Sequence, residues 1–335
     1  VPQDLSRRSV FARADRPKGA GRLDFTQDAG AVARMVQALD HGSYFNPLTA
    51  AKLLAGDRVL LVGGAEVTAG SGTPGTVLEA SEAGLVVACG SGAVRLTGLR
   101  CQRGLPVCPK SLVLANLPLP SAADTAGWTA ALASVVAGEA AGRRALAGLE
   151  PLDLGTASTA PADWQRLPLT LPDQGARAMA RLALGALRLA GRDHGDLAFA
   201  PERDAASPLL APWVPLRASA AGTLAEDMAA LAAAMDEAPA GFALDLLARD
   251  PGLTGLPTPA VALSASDAPL PGSRVTLTPA ALHYDASCLD TDAARAMAAR
   301  LATFAAAAPD MATAKAPILP PDEQAQVVQG WNQTR

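Results

Sequence analysis

Three histidines and a few well-spaced acids are the residues of this 335-residue chain that could do acid–base chemistry. His194 and Asp196 are two positions apart, close enough for a general base and its orienting acid. They follow a helical stretch directly, so the pair falls in a polar turn before a strand, and a surface turn is the preferred interpretation. His283 and Asp285 flank Tyr284 in a strand pattern and therefore share the face opposite the tyrosine. No nucleophile lies within reach, so this pair is expected to be structural. The third histidine, His41, lies far from both, and no adjacent His pair occurs anywhere. Cys89, Cys101, Cys108 and Cys288 show no CxxC spacing, which argues against a zinc site and against a disulfide framework.

Two glycine patterns suggest ligand chemistry that their contexts reject. "GSGTPG" (70–75) fits G-x-G-x-x-G, but Pro74 and Gly75 lead into a strand, not into the helix N-terminus a pyrophosphate needs. "GSG" (90–92) lacks the full G-x-S-x-G elbow and sits between two strand-like runs. Both are read as turn glycines.

The elements that must position these residues fall into two regions of opposite charge. Residues 1–118 hold 13 Lys and Arg against 9 Asp and Glu, a net of +4, and the remainder holds 15 against 23, a net of −8. Arg7, Arg8, Arg13, Arg16, Lys18 and Arg22 precede the first helix. They suit a phosphate-contacting arm, but Phe11 is the single aromatic interleaved with them, which favours a solvated linker. Half of the chain is hydrophobic and only 4% is aromatic, so the core must be built from aliphatic side chains, mainly on helices. There is no signal peptide, no membrane-length apolar run and no initiator methionine, from which we expect a cytoplasmic protein or a piece of a larger one.

In the first region Asp28 can cap a helix over 30–39, with Val32, Met35, Val36 and Leu39 on one side. Four β-rich runs follow (57–67, 75–80, 84–90 and 92–99), separated by Gly, Ser and Pro, as in a small curved sheet or barrel. In the second region, helices are expected over 128–154, 174–191, 222–238 and 291–308. Thr223 and Glu226 form a capping box at the start of the third of these. Residues 211–219 read as a proline-limited edge strand. Residues 257–266 and 274–287 are further strands, and 157–172 is a loop or edge strand.

The stretch "RRSVFARADRPKGAGRLDFTQDAGAVARMVQALDHGSYFNP", followed by "GTVLEASEAGLVVACGSGAVRLTGL", resembles the C-terminal domain of methionyl-tRNA formyltransferase and its relatives over residues 7–110. The matching features are a basic arm, the step Gly21 to Phe25, a helix with a short turn, and the strand entry Pro74 to Val77. The resemblance implies an open barrel that helps hold the acceptor, with catalysis in a preceding formyl-folate domain that this chain lacks. The barrel's own cations, Lys52, Arg58, Arg95, Arg100, Arg103 and Lys110, are few for tRNA binding.

The second region is similar to the C-terminal lobe of nonribosomal peptide synthetase condensation domains. The matching stretches are "AGRRALAGLEPLDL" (141–154), "LGALRLAGRDHGDLAF" (184–199), "WVPLRA" (213–218), "EAPAGFALDLLARD" (237–250) and "LHYDASCLD" (282–290). The final "ILPPDEQAQVVQGWNQTR" (318–335) resembles the linker by which such a domain enters an adenylation domain. The family's H-H-x-x-x-D-G loop belongs to an N-terminal lobe not present here. Pro212 stands where the family strand carries an Asn, and "APAGF" replaces D-x-P-F-E.

These resemblances imply an α+β chain with three parts. Residues 1–118 would be a small open β-barrel with a basic arm. Residues 119–315 would be a truncated α/β condensation-like C-lobe, half of a chloramphenicol acetyltransferase-like fold, and residues 316–335 a linker. The expected role is a noncatalytic docking platform, with no catalytic, cofactor or metal residues. Leu319, Pro320, Glu323, Trp331 and Asn332 would form the interface to an adenylation domain, and an apolar, Arg-decorated face of the lobe would pair with the tail. The expected partners are that domain and a peptidyl carrier protein, with no membrane and no nucleic acid. A working formyltransferase module is the alternative, in which the parent would use formyl-tetrahydrofolate and a phosphopantetheine carrier arm.

Overall fold

The computed structural model is mixed α+β and describes residues 15–155, 161–202, 207–239 and 241–332, with the last three residues described by backbone alone. Arg7, Arg8 and Arg13 of the basic arm lie outside the described residues. Two compact units are present, and they do not follow chain order. The first comprises Val1–Ala147, Ala206–Ala211 and Phe242–Leu256; the second comprises Gly148–Ala205, Pro212–Gly241 and Pro257–Arg335. Element labels below run in chain order.

In the first unit α1 (Ala29–Leu39) starts where the Asp28 carboxylate accepts the Ala31 N–H at 2.8 Å, and it buries Val32, Val36 and Leu39 as its periodicity predicts. Seven short strands follow: β1 (Ala51–Ala55), β2 (Arg58–Val62), β3 (Gly64–Thr68), β4 (Val77–Ser81), β5 (Gly84–Ala88), β6 (Ala93–Thr97) and β7 (Arg100–Cys101). They form two antiparallel sheets, β1-β2-β7 and β3-β6-β5-β4, neither closed into a barrel. The run 57–67, continuous by sequence, breaks at Gly63, where the chain passes from one sheet to the other. Gly98 makes the same passage between β6 and β7. A Cβ on Gly63 would lie 3.1 Å from the Gly98 carbonyl, and Gly98 itself has φ +62°, so this corner favours glycine on both strands.

The helix expected over 128–154 is two helices, α2 (Ala122–Val136) and α3 (Glu139–Ala147), separated at Ala137 and Gly138. Ser121 and Asp124 open α2 with a reciprocal capping box. Trp128, Leu132 and Val135 of α2 pack with Ala20, Val59, Leu209 and Ala243. The last two come from later pieces of chain. Those pieces are joined to each other by Ala211 N–H to Phe242 O and by Leu244 N–H to Leu209 O, both 2.8 Å. The helical turn α6 (Leu246–Arg249) belongs to the same segment.

The second unit is built on a six-stranded sheet ordered β10-β9-β11-β12-β13-β8. Its strands are β8 (Trp164–Pro168), β9 (His194–Ala200), β10 (Val214–Ser219), β11 (Val261–Ser264), β12 (Val275–Leu277) and β13 (Ala281–Asp285). β11 runs parallel to both neighbours, and the remaining pairs are antiparallel. β10, which carries Pro215, lies at the sheet edge as its missing N–H requires. The run 274–287 is not one strand but two, reversed at Thr278 to Ala280, where the Thr278 hydroxyl accepts the Ala281 N–H at 3.0 Å.

Helix α4 (Gly175–Leu189) packs on α5 (Leu224–Asp236), α7 (Thr291–Ala305) and the sheet. At Gly185 a Cβ would meet Leu301 at 2.8 Å and Phe304 at 3.3 Å, so the α4–α7 approach uses the space a side chain would fill. α5 opens on the predicted Thr223/Glu226 capping box. The chain is described to the end of α8 (Pro321–Asn332).

Candidate functional site

The tail enters α8 through half-buried Leu319 and Pro320. Glu323, in the first turn, forms a two-pronged pair with Arg300 of α7: Arg300 Nε donates to Oε2 at 3.1 Å and Nη2 donates to Oε1. Hydrogen bonding to the guanidinium holds the Glu323 carboxyl below the usual carboxylate range. One turn further on, Val327 and Val328 are 43% and 54% exposed. Leu319, Pro320 and Glu323 therefore gather at the start of α8. Trp331 and Asn332 lie on its last backbone turn, and their side chains fall outside the described residues.

The two histidine pairs resolve differently from a base with its acid. His194 begins β9 and is exposed, with Nδ1 2.9 Å from Asp193 and Nε2 3.2 Å from Glu150. Asp196 instead accepts two bonds from Arg217, at 2.9 and 2.6 Å, and one from the Glu150 N–H at 2.7 Å. Glu150 also meets Arg217 and Arg192, so His194 sits in a surface charge cluster.

His283 and Asp285 of β13 are both buried, but each has its own partners. His283 Nε2 lies 3.0 Å from Asp267, which also accepts from Arg166 at 2.8 Å and from Thr278 at 3.1 Å. Hydrogen bonding by Arg166, then by His283, draws the Asp267 carboxyl down to about 2. Burial pushes Asp285 up, but bonds from the Asp163 and Ser287 N–H groups and from Arg274 override it and leave it at about 2. The pair fastens loops to the sheet.

The most deeply buried charges lie in the first unit, at residues the sequence does not connect. Lys52 on β1 is 2% exposed, and its Nζ donates to Asp245 Oδ2 at 2.6 Å and to the Thr49 hydroxyl at 2.5 Å. The Ala20 and Ala50 carbonyls complete its surroundings at 2.9 and 3.0 Å. Asp245 also accepts the Ala50 N–H at 3.0 Å and Arg249 Nε at 3.1 Å. Arg249 continues to Glu139 Oε2 of α3 at 2.6 Å and to the Asn46 carbonyl at 2.7 Å. Burial raises Asp245, but the charges of Arg249 and Lys52 more than offset this and hold it well below the usual carboxylate range. Lys52 and Arg249 thus meet Asp245 and Glu139 out of water, and Arg16 adds a third cation 3.7 Å from Glu139.

This network settles the position of one cation of the first unit: Lys52 is enclosed and cannot reach a phosphate. Arg95 is paired with Glu79 at 3.1 Å, and Lys110 lies 3.8 Å from Glu82. The signal for a buried pair was present locally, since Lys52 interrupts the apolar "LTAAKLLA" and Asp245 the apolar "FALDLLA". Nothing local paired the two.

A cavity of about 80 Å³ lies in the same unit, lined in part by His41, Tyr44, Asn46, Arg100 and Arg249. Two larger cavities of the same unit, about 440 Å³ beside Phe45, Glu139 and Arg143 and about 540 Å³ beside Glu82, Thr97 and Cys108, are of the size small ligands occupy. All four cysteines are free, and burial raises the Cys89 thiol. Among the described residues no cluster of His, Cys, Asp and Glu is placed to hold a metal, and no helix is long and apolar enough to cross a membrane.

Residues 17–113 match the family model described as "Formyl transferase, C-terminal domain". Methionyl-tRNA formyltransferase of Pseudomonas savastanoi pv. phaseolicola is 40% identical over 90 residues, 27% of this chain and 27% of that protein. The enzyme of the same name from Stenotrophomonas maltophilia strain K279a is 45% identical over 89 residues, 26% of this chain and 27% of its own. The chain thus spans about a quarter of the length of the curated relatives it matches. Among solved structures, the chain is similar to the complex of the X-domain and OxyB from teicoplanin biosynthesis, with a TM-score of 0.42 and 19% identity over 70% of this chain and 72% of that one. It is also similar to a mutant of the starter condensation domain of rhizomide synthetase, with a TM-score of 0.43 and 16% identity over 56% and 55% of the two chains.

Proposed function

We propose that this chain is a noncatalytic docking platform within a nonribosomal peptide synthetase, holding an adenylation domain or a peptidyl carrier protein in place. The observation that carries this reading is α8. Its first turn is fixed to α7 through Glu323 and Arg300, and its next turn leaves Val327 and Val328 in water. A helix held at one end with apolar side chains exposed beyond it suits docking on an apolar groove. The pairing of His283 and Lys52 with fixed carboxylates also supports a structural role over acid–base work. Isothermal titration of the chain with the adenylation domain of its own synthetase tests the proposal. Binding is expected, weakened at least about tenfold by V327D/V328D through loss of apolar contact. Equal binding by wild type and variant would refute the role given to α8.

A second reading is favoured by the match at residues 17–113. In it the first unit serves a formyltransferase module, with formyl-tetrahydrofolate bound by a separate catalytic domain and the acceptor amine carried on phosphopantetheine. A formylation assay on an aminoacyl-loaded carrier, with and without this chain, separates the two. Acceleration by the chain favours the module, and no effect favours the platform.

A further inference from the structure

We infer that residues 242–256 are a strap that completes the first unit, recognised there through buried charge, so that the part resembling formyl transferase C-terminal domains depends on a segment far along the chain. That part spans residues 17–113. Asp245 is 193 positions from Lys52, yet both are 2% exposed at the side chain and 2.6 Å apart. Asp245 takes the Thr49 hydroxyl at 2.9 Å as well as the Ala50 N–H, so it satisfies the start of β1 and its lysine together. Arg249, one helical turn later, carries the contact on to Glu139 and Asn46. The Asn46 N–H returns a bond to the Arg249 carbonyl at 3.0 Å.

Apolar burial accompanies the charges. Leu246, Leu247 and Leu253 are at most 2% exposed, and Ala243 joins the core of α2. Two glycine sites show how closely the strap is received. A Cβ on Gly104 would meet Thr254 at 3.0 Å and Ala248 at 3.3 Å, and the Gly255 N–H donates to the Arg103 carbonyl at 2.9 Å. A lysine without its acid would be left charged and dry, which is far more costly than replacing the whole pair by apolar side chains. The partner this surface fits is therefore a helical turn with an acid and an arginine four positions apart between leucines.

Hydrogen exchange on the full chain tests the strap. Asp245→Ala is expected to lower the protection of β1, residues 51–55, at least about tenfold. Lys52→Met combined with Asp245→Leu leaves Arg249 paired with Glu139 and is expected to recover most of that protection. If Asp245→Ala does not fold at all, folding of the double variant still carries the inference. Unchanged β1 protection in Asp245→Ala would overturn it, as would a double variant no better than the single. A second measurement uses the full chain with protease sites placed at the 240 and 256 junctions. After cutting, the strap is expected to co-elute with the remainder until denaturant is added. Its release from a remainder that stays folded would overturn the inference.

Discussion

The two units differ in the charge networks they carry: the first encloses one network almost completely, while several ion pairs of the second reach water. In the first, Lys52, Asp245, Arg249 and Glu139 are at most 9% exposed and satisfy one another. In the second, Arg217–Asp196 and Arg166–Asp267 each keep a member exposed, Arg300–Glu323 is half-buried, and Arg181–Asp173 is a single pair that is largely buried. The difference decides what each pair does. A buried network fixes which segments must come together, because any alternative leaves a dry charge. Exposed pairs tune local geometry and leave the surface available for partners, since water takes over when a pair is broken.

The sharpest way to break this contrast is to remove one member of each kind of pair. Lys52→Met or Asp245→Ala alone is expected to cost about 3–5 kcal/mol in urea unfolding, because the survivor stays buried. Acid probes the same contrast. The folded pKa values of Asp245 and Asp285 are both depressed, so the stability they contribute is present above the unfolded value of about 3.9 and is lost as pH falls. Loss at Asp285 is expected to finish near pH 2, at a total on the order of 2 kcal/mol. Loss at Asp245 continues to lower pH. Asp285→Asn and Asp245→Asn variants, followed by circular dichroism from pH 5 downward, should each flatten their own part of that profile.

A packing change of intermediate size sharpens the comparison from the other side. Gly185→Val should cost about 1–3 kcal/mol by forcing α4 away from Leu301 and Phe304. Its effect on hydrogen exchange should be confined to the second unit. The smallest effect is expected at the tail: Arg300→Ala should change the unfolding free energy in urea by no more than about 1 kcal/mol while lowering amide protection in α8. A drop as large as that of Asp245→Ala would erase the distinction between the two kinds of pair.

Local chemistry was readable in the sequence, and long-range chemistry was not. Asp28 before an apolar-periodic run, Thr223 ahead of Glu226, and Pro215 in an edge strand each act within a few residues, and each element stands where those residues place it. The break between α2 and α3 was missed because alanine-rich sequence on both sides of Gly138 continues a helical pattern. The reversal at Thr278 to Ala280 was hidden in a run of strand-forming residues. At the tail, the resemblance to a linker singled out Glu323, but its partner Arg300 lies on another helix. The strap was invisible for the same reason at larger scale: Lys52 and Asp245 each look misplaced in an apolar run, and only the folded chain shows that they belong to each other.

The noncatalytic role is tested most directly by giving the intact chain a carrier protein loaded with an aminoacyl group, together with formyl-tetrahydrofolate and, separately, a second loaded carrier as donor. Product can be followed by mass spectrometry of the carrier. Binding of the carrier or adenylation domain without formylated or condensed product above the rate in buffer is the predicted result. Turnover by the chain alone in either reaction would contradict it.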